Sequence, residues 1–245
     1  MTSRIRHLCF LSVGLCALLL SGCATTRMAV HSKSGPLDLT KESVVLMSLD
    51  LSKRDSKLSI PWPNGVSVVP TDPLPNKELR QAKRFSLDSE GATKGDGTHN
   101  IVLVRMALAP GKYVLADAYG AVVTLPFAGS WLAPLGLAFE VPETSVVYLG
   151  RVAAELRPRK DNEFRAGPIF PLLDQGVTGV TGGTFDVLVS DRADQDLTVF
   201  RETFPTLQGV DIKKLALPAF DRTPYDRAFN GLPPLEAKQG APAAP

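Results

Sequence analysis

Cysteine is scarce in this chain of 245 residues, and its few cysteines all lie near the start. They are Cys9, Cys16 and Cys23, so the chain beyond residue 23 has no thiol for a disulfide, a metal site or nucleophilic catalysis. Histidine is equally rare, with three residues, and the sequence has no paired-histidine metal motif and no G-x-S-x-G motif. Zinc catalysis and serine–histidine–aspartate hydrolysis therefore have no recognisable motif, and beyond residue 22 only His31 and His99 could serve them. We predict no catalytic residue, no metal site and no cofactor.

The chain also lacks an excess of charge once its first 22 residues are set aside. Lys and Arg number 27 and Asp and Glu number 25, which gives a formal net charge of +2. Arg4 and Arg6 are the only charged residues in the first 22, so the remainder is formally neutral. Because nucleic-acid binding favours a basic surface, we expect no nucleic-acid partner.

Residues 1–22 have the layout of an export signal peptide. Arg4 and Arg6 precede an uncharged apolar stretch at residues 8–20, which is shorter than the roughly 20 residues that a membrane span needs. At its end, the string Leu20-Ser21-Gly22-Cys23 resembles the lipobox of bacterial lipoproteins.

The lipobox resemblance implies processing and a membrane address. It implies cleavage between Gly22 and Cys23, attachment of diacylglycerol to the Cys23 thiol, and acylation of the new amino terminus by a chain such as palmitate. Ala24, which is not an aspartate, implies transfer to the outer membrane with the protein facing the periplasm. The membrane would then be a partner through the N-terminal lipid. The alternatives are an export signal with an incidental cysteine or an uncut N-terminal anchor.

Composition divides the rest of the chain into four segments. Residues 23–42 are polar and aperiodic, which predicts a flexible tether. Residues 43–160 are dominated by period-two patterns, which predict a β-sandwich. Residues 161–220 predict a strand-plus-helix extension packed on the sandwich, and residues 221–245 predict a disordered tail rich in proline and alanine.

Alternating apolar residues predict most of the strands. Residues 45–51 and 102–108 each present one apolar face. A turn at Pro110 and Gly111 then leads into a strand from Tyr113, and we expect this strand to pair with the preceding one as a hairpin. No strand–helix–strand alternation is visible. The expected fold is therefore mainly β, an antiparallel β-sandwich with one appended C-terminal helix and flexible termini.

The second half of the chain predicts two more strands and the helix. In residues 146–156 every second residue is expected to face the core, and residues 185–189 form another strand. Asp191, Asp194 and Asp196 are interpreted as helix caps and favourable helix-end charges, since their spacing does not match a calcium loop. The helix ends at a proline, Pro205. Its apolar positions are Leu197, Phe200, Phe204 and Leu207.

Prolines interrupt the region after the first strand. They predict a long irregular excursion with a short strand at residues 66–69. The prolines are Pro61, Pro63, Pro70, Pro73 and Pro75.

The string "LAPGKYVLADAYG", followed by "VVYLGRVAAEL", resembles the L-x-P-G-x-Y pattern of transthyretin-like and carboxypeptidase-regulatory-like β-sandwiches of bacterial lipoproteins. Gly111 and Tyr113 match the pattern, and Tyr148 would be an aromatic residue on a later core strand. The resemblance covers roughly residues 43–160. It implies a structural or binding module with no catalytic residue to carry over.

Residues 121–139 form the longest uncharged stretch outside the leader, and proline and glycine interrupt it. We predict two strands joined by an apolar loop rather than a membrane span. Within that loop, Phe127, Trp131 and Leu132 are the candidate binding residues for an envelope protein, a lipid or a hydrophobic ligand. The alternative is that they plug one end of the sandwich. The interrupting residues are Pro126, Gly129, Pro134 and Gly136.

These patterns predict a lipid-anchored cell-envelope protein that acts as a structural or binding component without enzymatic activity. One alternative is a membrane-tethered hydrolase of glycans or peptides that uses an Asp/Glu pair, which two facing carboxylates in a cleft would favour. Another is a carrier of an apolar ligand bound at Phe127, Trp131 and Leu132.

Overall fold

The structure is a computed structural model, and it describes residues 25–55, 60–71, 82–93, 97–124, 127–168 and 179–234. Gly22 and Cys23, the predicted cleavage and lipidation residues, lie outside the described residues. The same is true of the predicted tail from residue 235 onward.

Ten strands and two α-helices are present in the described residues. The strands are β1 (Thr25–Thr26), β2 (Ser43–Lys53), β3 (Trp62–Pro70), β4 (Lys83–Ser86), β5 (His99–Leu108), β6 (Gly111–Thr124), β7 (Phe127–Val141), β8 (Val146–Pro158), β9 (Gly183–Ser190) and β10 (Ile212–Lys214). The helices are α1 (Ala193–Thr203) and α2 (Thr223–Phe229).

The strands form two sheets with a common core. Sheet A has the order β1-β4-β3-β6-β7, and sheet B has the order β10-β8-β2-β5, with β9 also paired to β8. Alternate apolar residues of both sheets point inward and pack against each other. The fold is therefore mainly β and sandwich-like, as the sequence predicts. The inward-facing residues include Val45, Met47 and Leu49 of β2, Met106 of β5, Leu115 of β6 and Leu137 of β7.

The turn at Pro110 and Gly111 joins the two sheets, so the predicted hairpin is wrong. β5 pairs with β2 in sheet B, whereas β6 pairs with β3 and β7 in sheet A. Met106 and Leu115 both belong to the core between the sheets. Period-two alternation identifies the apolar face of a strand but not the strand beside it.

Sheet B departs from the prediction in two further ways. β2 and β8 are parallel rather than antiparallel. A bulge at Gly150, where φ is 108°, also adds one residue to β8 and reverses the direction of its side chains. Val147 and Val152 therefore both face the core between the sheets, while Val146 and Tyr148 face the opposite side. The prediction that Val146, Tyr148 and Val152 share one face is wrong because it ignores this bulge.

Helix α1 covers the outer face of sheet B, and this confirms the predicted helix. Leu197 and Phe200 are buried there, together with Phe204 and Leu207 in the turn that follows. The N-cap of α1 is Arg192, with no side-chain cap hydrogen bond, so the prediction of an aspartate cap is wrong. The Asp191 carboxylate, one residue earlier, accepts the backbone N–H of Ala193 at 2.9 Å. The second helix, α2, lies where the sequence predicts a disordered tail.

The N-terminal segment is packed against the sandwich, in contrast to the predicted flexible tether. Thr25 pairs with Arg84 of β4 in sheet A. Four residues later the N–H of Ala29 donates to the carbonyl of Arg105 in sheet B at 2.8 Å. Met28 between them is buried in the core. Residues 25–30 therefore close the open side of the sandwich between β4 and β5.

Residues 164–167 close the opposite side, between β7 and β9. The N–H of Leu132 donates to the Ala166 carbonyl at 2.7 Å, and the N–H of Ala166 donates to the Gly183 carbonyl at 2.8 Å. Helix α2 packs on the same side, where the Tyr225 ring contacts the Phe164 ring. Because β9 belongs to sheet B itself, the predicted boundary at residue 160 does not separate the sandwich from an extension.

Neither helix in the described part of the chain has the length and apolar character needed to cross a bilayer. Residues 121–139 carry no charge, which is why a membrane span was considered for them. They lie in β6 and β7, apart from residues 125 and 126.

A network of ion pairs connects the C-terminal segment to sheet B. Arg157 donates to Glu163 at 2.7 Å and to Asp186 at 2.8 Å. Arg222, from the segment that leads into α2, donates to the same Asp186 at 3.0 Å. The hydrogen bonds from Arg157 lower the pKa of Glu163 to about 2, and they also lower the pKa of Asp186. Glu163 is therefore ionised in the folded protein well below neutral pH.

We expect Glu163→Gln to lower the free energy of unfolding by about 1–3 kcal/mol at pH 7, because the substitution removes the charge that pairs with Arg157. The folded-state pKa of Glu163 lies below its unfolded value, so its contribution is present above pH ~4.5 and is lost as the pH falls toward 2. The difference between the variant and the wild type should shrink over this range. Urea unfolding at several pH values measures it.

Glu143→Gln is the matched control, since Glu143 is exposed and forms no ion pair with any of the described residues. Its effect should stay within about 0.5 kcal/mol at every pH. A Glu163→Gln deficit that is as large at pH 2 as at pH 7 would contradict the assigned ion pair.

Candidate functional site

An open groove of about 960 Å³ lies on the outer face of sheet A. Its floor is formed by side chains that alternate with core residues along the strands. Ser67 of β3, Arg84 of β4, and Asp117 and Tyr119 of β6 contribute to this floor. Their neighbours Val66, Val68, Phe85 and Ala118 are buried on the other face. The same period-two pattern that builds the core therefore builds the groove.

The far side of the groove is formed by segments that follow the strands. Residues 165–168 and Phe229 of α2 line it beyond the edge strand β7. The guanidinium of Arg165 donates to the Thr181 carbonyl at 2.8 Å and lies 5.7 Å from the centre of the Phe229 ring. Leu132 and Phe229 are 47% and 43% exposed. Apolar surface is thus available to a ligand at this end.

Hydrogen bonding fixes the polar floor. The Ser67 hydroxyl donates to the Asp117 carboxylate at 2.7 Å. Burial raises the pKa of the Tyr119 phenol, against the opposing charge of Arg84. The Tyr119 hydroxyl lies where a Cβ on Gly65 would stand. Gly65 therefore allows the tyrosine ring to lie across β3 at the base of the groove.

Trp131 forms part of the groove lining and also reaches the core. Its ring packs against Phe185 of sheet B, with 5.2 Å between the ring centres. It is paired with Gly120 across β6 and β7, and its Cζ2 lies 2.7 Å from the position that a Cβ on Gly120 would take. The indole N–H is buried and finds no hydrogen-bond partner in the described part of the chain.

The predicted apolar loop is a strand, so the prediction of a loop at Phe127, Trp131 and Leu132 is wrong. All three residues belong to β7, although the side chain of Phe127 lies outside the described residues. β7 is the edge strand of sheet A, where proline costs no sheet hydrogen bond on the free side. Gly136, with φ of 59°, fits a bulge within the strand.

Of these three residues, Trp131 and Leu132 line the groove, but only Leu132 is exposed. Trp131 is 2% exposed and belongs to the core, which is the predicted alternative for it. Leu132 is exposed and faces the groove. Sequence reasoning missed the polar residues beside them, because alternating polar residues on a half-buried strand resemble an ordinary solvent-exposed face.

A second polar cluster lies on the outer face of sheet B. The Tyr148 hydroxyl donates to Asp196 at 2.6 Å, and Arg151 donates to the same carboxylate. Asp50 lies 2.8 Å from Nδ1 of His99 at the start of β5. Burial and the hydrogen bond to Asp196 raise the pKa of Tyr148. Asp196 lies in the first turn of α1, as its interpretation as a helix-end charge requires, and it is also a buried acceptor that holds α1 on the sheet.

Among the described residues, the groove lacks the carboxylate pair that a glycoside hydrolase requires. Asp117 is the only carboxylate among the described residues that line it, whereas retaining and inverting glycosidases place two carboxyl groups across the scissile bond. The groove combines one acid, two guanidinium groups, hydroxyls and ring faces. Such a set can bind a polar ligand with several hydrogen-bonding groups.

Comparison of the chain with protein-family models finds no matching family, and comparisons with curated proteins and with solved structures find no match. The resemblance to transthyretin-like β-sandwiches therefore stays a prediction. Function must be argued from the site itself.

Proposed function

We propose that this protein is a lipid-anchored binding component of a bacterial cell envelope that holds a glycan chain in the groove on sheet A. The groove lining carries the proposal. A sugar ring has an apolar C–H face and a rim of hydroxyl groups. The rings of Tyr119 and Phe229 can pack against the C–H face. The side chains of Asn64, Asp117 and Arg165 can form hydrogen bonds with the hydroxyl groups.

The charges of the groove favour a polar ligand over an apolar one. Arg84, Asp117 and Arg165 all line it. Covering these groups with hydrocarbon would remove their water without replacing its hydrogen bonds, which is strongly unfavourable. A carrier of apolar ligands would need a lining without such groups. Hydroxyl groups of a glycan can instead donate to the carboxylate and accept from the guanidinium groups.

The lipobox at residues 20–23 supports the membrane address. Trypsin cleaves after Arg27, so the processed protein should yield a peptide of residues 23–27 that carries the diacylglyceryl and N-acyl groups. Mass spectrometry of membrane-extracted protein tests this directly. An unmodified Cys23, or a peptide that extends upstream of it, would contradict the proposed anchor. The Cys23→Ala variant should lose incorporation of labelled palmitate.

Removal of the groove's ring face should weaken glycan binding. We expect Tyr119→Ala to reduce affinity for soluble peptidoglycan glycan oligomers about tenfold or more, which corresponds to ~1.4 kcal/mol. Asp117→Asn keeps the shape of the side chain but removes its charge, and we expect a similar loss. Isothermal titration of the chain from Ala24 onward measures both.

The matched control is Lys213→Ala, an exposed position on β10 of sheet B, which should leave the affinity unchanged. Equal affinity of Tyr119→Ala and wild type would contradict the assigned groove. Binding of cell-wall peptides without binding of the glycan oligomers would overturn the proposed ligand class.

A further inference from the structure

We infer that the edge of sheet A formed by β1 and β4 lies against the lipid headgroups of the membrane that holds Cys23. This inference rests on the proposed acylation of Cys23. It adds an orientation to the proposed membrane attachment, because it states which side of the sandwich contacts the bilayer.

The short distance between the anchor and the fold is the first argument. Two peptide units separate Cys23 from Thr25, and a fully extended chain spans at most ~3.6 Å per residue. The Cα atom of the acylated residue therefore lies within about 7 Å of the Cα atom of Thr25. Thr25 and Thr26 are paired with Arg84 and Phe85 of β4. The acyl chains thus emerge beside this strand.

The segment after β1 is held in place, which removes the slack that a tether would provide. Met28 is buried between the sheets, and Val30 is fully buried on the outer face of sheet B. The N–H of Ala29 donates to the carbonyl of Arg105, and the Arg105 side chain donates to the carbonyl of Val30 at 2.7 Å. With this segment packed, only residues 23 and 24 link the acyl chains to the fold, so a side of the sandwich far from β1 cannot reach the membrane unless this segment detaches.

The charge of this edge suits lipid phosphates. Arg27 and Arg84 are exposed, and neither forms an ion pair with another residue in the described ranges. Lys83, which precedes Arg84 in β4, has its ammonium group 3.5 Å from the Glu42 carboxylate. Guanidinium groups bind phosphate oxygens through paired hydrogen bonds, and basic residues at a bilayer surface are attracted to anionic headgroups. Of the acids that follow β4, Asp88 is paired with Arg105 and Glu90 accepts the N–H of Ser32. Arg27 and Arg84 therefore keep their charges available to a phosphate.

The orientation has a consequence for the groove. Arg84 is both the partner of Thr25 and a lining residue of the groove. One end of the groove therefore opens beside the membrane surface, and the opposite end, at Leu132 and Phe229, lies farther from it. A glycan chain bound there would approach the bilayer at its Arg84 end.

Fluorescence quenching on vesicles tests the orientation. The acylated full-length protein is reconstituted into phosphatidylethanolamine vesicles that contain about one-quarter phosphatidylglycerol and a headgroup nitroxide lipid. Because the Cys23 thiol is blocked, a cysteine introduced by Lys83→Cys can be labelled selectively with a fluorophore. Lys213→Cys on β10 is the matched site. In sheet B, β5 is the edge strand beside β4, and β10 is at the other edge, three strand spacings or about 14 Å away.

We expect the label at position 83 to be quenched at least about threefold more strongly than the label at position 213, given that separation. Equal quenching, or stronger quenching at position 213, in protein that floats with the vesicles would overturn the orientation and leave the acylation intact. Protein that does not float would instead overturn the proposed acylation. A glycine–serine linker inserted after Ala24 should equalise the two labels without loss of flotation.

Discussion

Replacement of Arg105 by methionine is expected to lower the free energy of unfolding by about 3–5 kcal/mol. The Arg105 side chain is fully buried. It donates to the carbonyls of Val30 at 2.7 Å and Leu103 at 2.6 Å, and to the Asp88 carboxylate at 2.5 Å. Methionine preserves much of the volume but leaves these acceptors without a donor. Unpaired buried acceptors are costly.

The guanidinium of Arg105 also packs over the Phe204 ring at 4.2 Å. It therefore joins four parts of the fold: β5, the N-terminal segment, Asp88 in the segment after β4, and the turn after α1. Burial lowers its pKa, and the Asp88 carboxylate opposes this effect. The loss of the side chain should loosen residues 25–30 before the rest of the protein unfolds, since these residues depend on it most directly.

Urea unfolding of the chain from Ala24 onward measures the effect of the Arg105 substitution. Arg84→Met is the matched control, because Arg84 is exposed and unpaired within the described ranges; its effect should stay within about 0.5 kcal/mol. A loss of less than about 1 kcal/mol for Arg105→Met would contradict the assigned role of the buried guanidinium.

The second large effect is expected for Gly120→Ala, which should lower the free energy of unfolding by about 2–3 kcal/mol. A Cβ at this position would overlap the carbonyl oxygen of Trp62 and lie 2.9 Å from the Cα of Pro63. Both atoms belong to the backbone of β3 and cannot move aside alone. The pairing of β3 and β6 must therefore shift, and the floor of the groove with it.

Gly182→Ala is the control for Gly120→Ala, because it introduces the same methyl group where no atom lies within 4 Å. We expect no loss of stability there, or a small gain of up to about 1 kcal/mol from the stiffer unfolded chain. Thermal unfolding of the two variants side by side gives the comparison. Equal melting temperatures would show that the close approach of β3 and β6 at Gly120 is not required.

The strands and the main helix could be predicted from the sequence because apolar periodicity reports directly on burial. The pattern of residues 45–51 and the positions of Leu197 and Phe200 both match the observed packing. Apolar periodicity does not show which strands pair with each other or where a bulge interrupts a strand. The Pro110–Gly111 turn suits either a hairpin or a crossing between sheets, and the bulge at Gly150 depends on pairing with distant strands.

The groove could not be predicted, because its residues come together only through tertiary structure. Its lining comes from β3, β4, β6, β7, residues 165–168 and α2. Leu132 was identified as a candidate from its apolar surroundings, and it does face the groove. Asp117 and Tyr119 gave no local signal, because a polar residue on alternate positions of a strand predicts only exposure to solvent. The proline and glycine residues of β7 suggested a loop because an edge strand tolerates them as well as a loop does.

Binding of a glycan in the groove on sheet A is tested most directly by nuclear magnetic resonance of the isotopically labelled chain from Ala24 onward. Soluble peptidoglycan glycan oligomers are titrated into the protein, and backbone amide shifts are mapped. We predict that the shifted amides cluster at Ser67, Asp117, Tyr119 and Leu132, and that this cluster disappears in Tyr119→Ala. An unchanged spectrum, or shifts confined to the outer face of sheet B around α1, would contradict it.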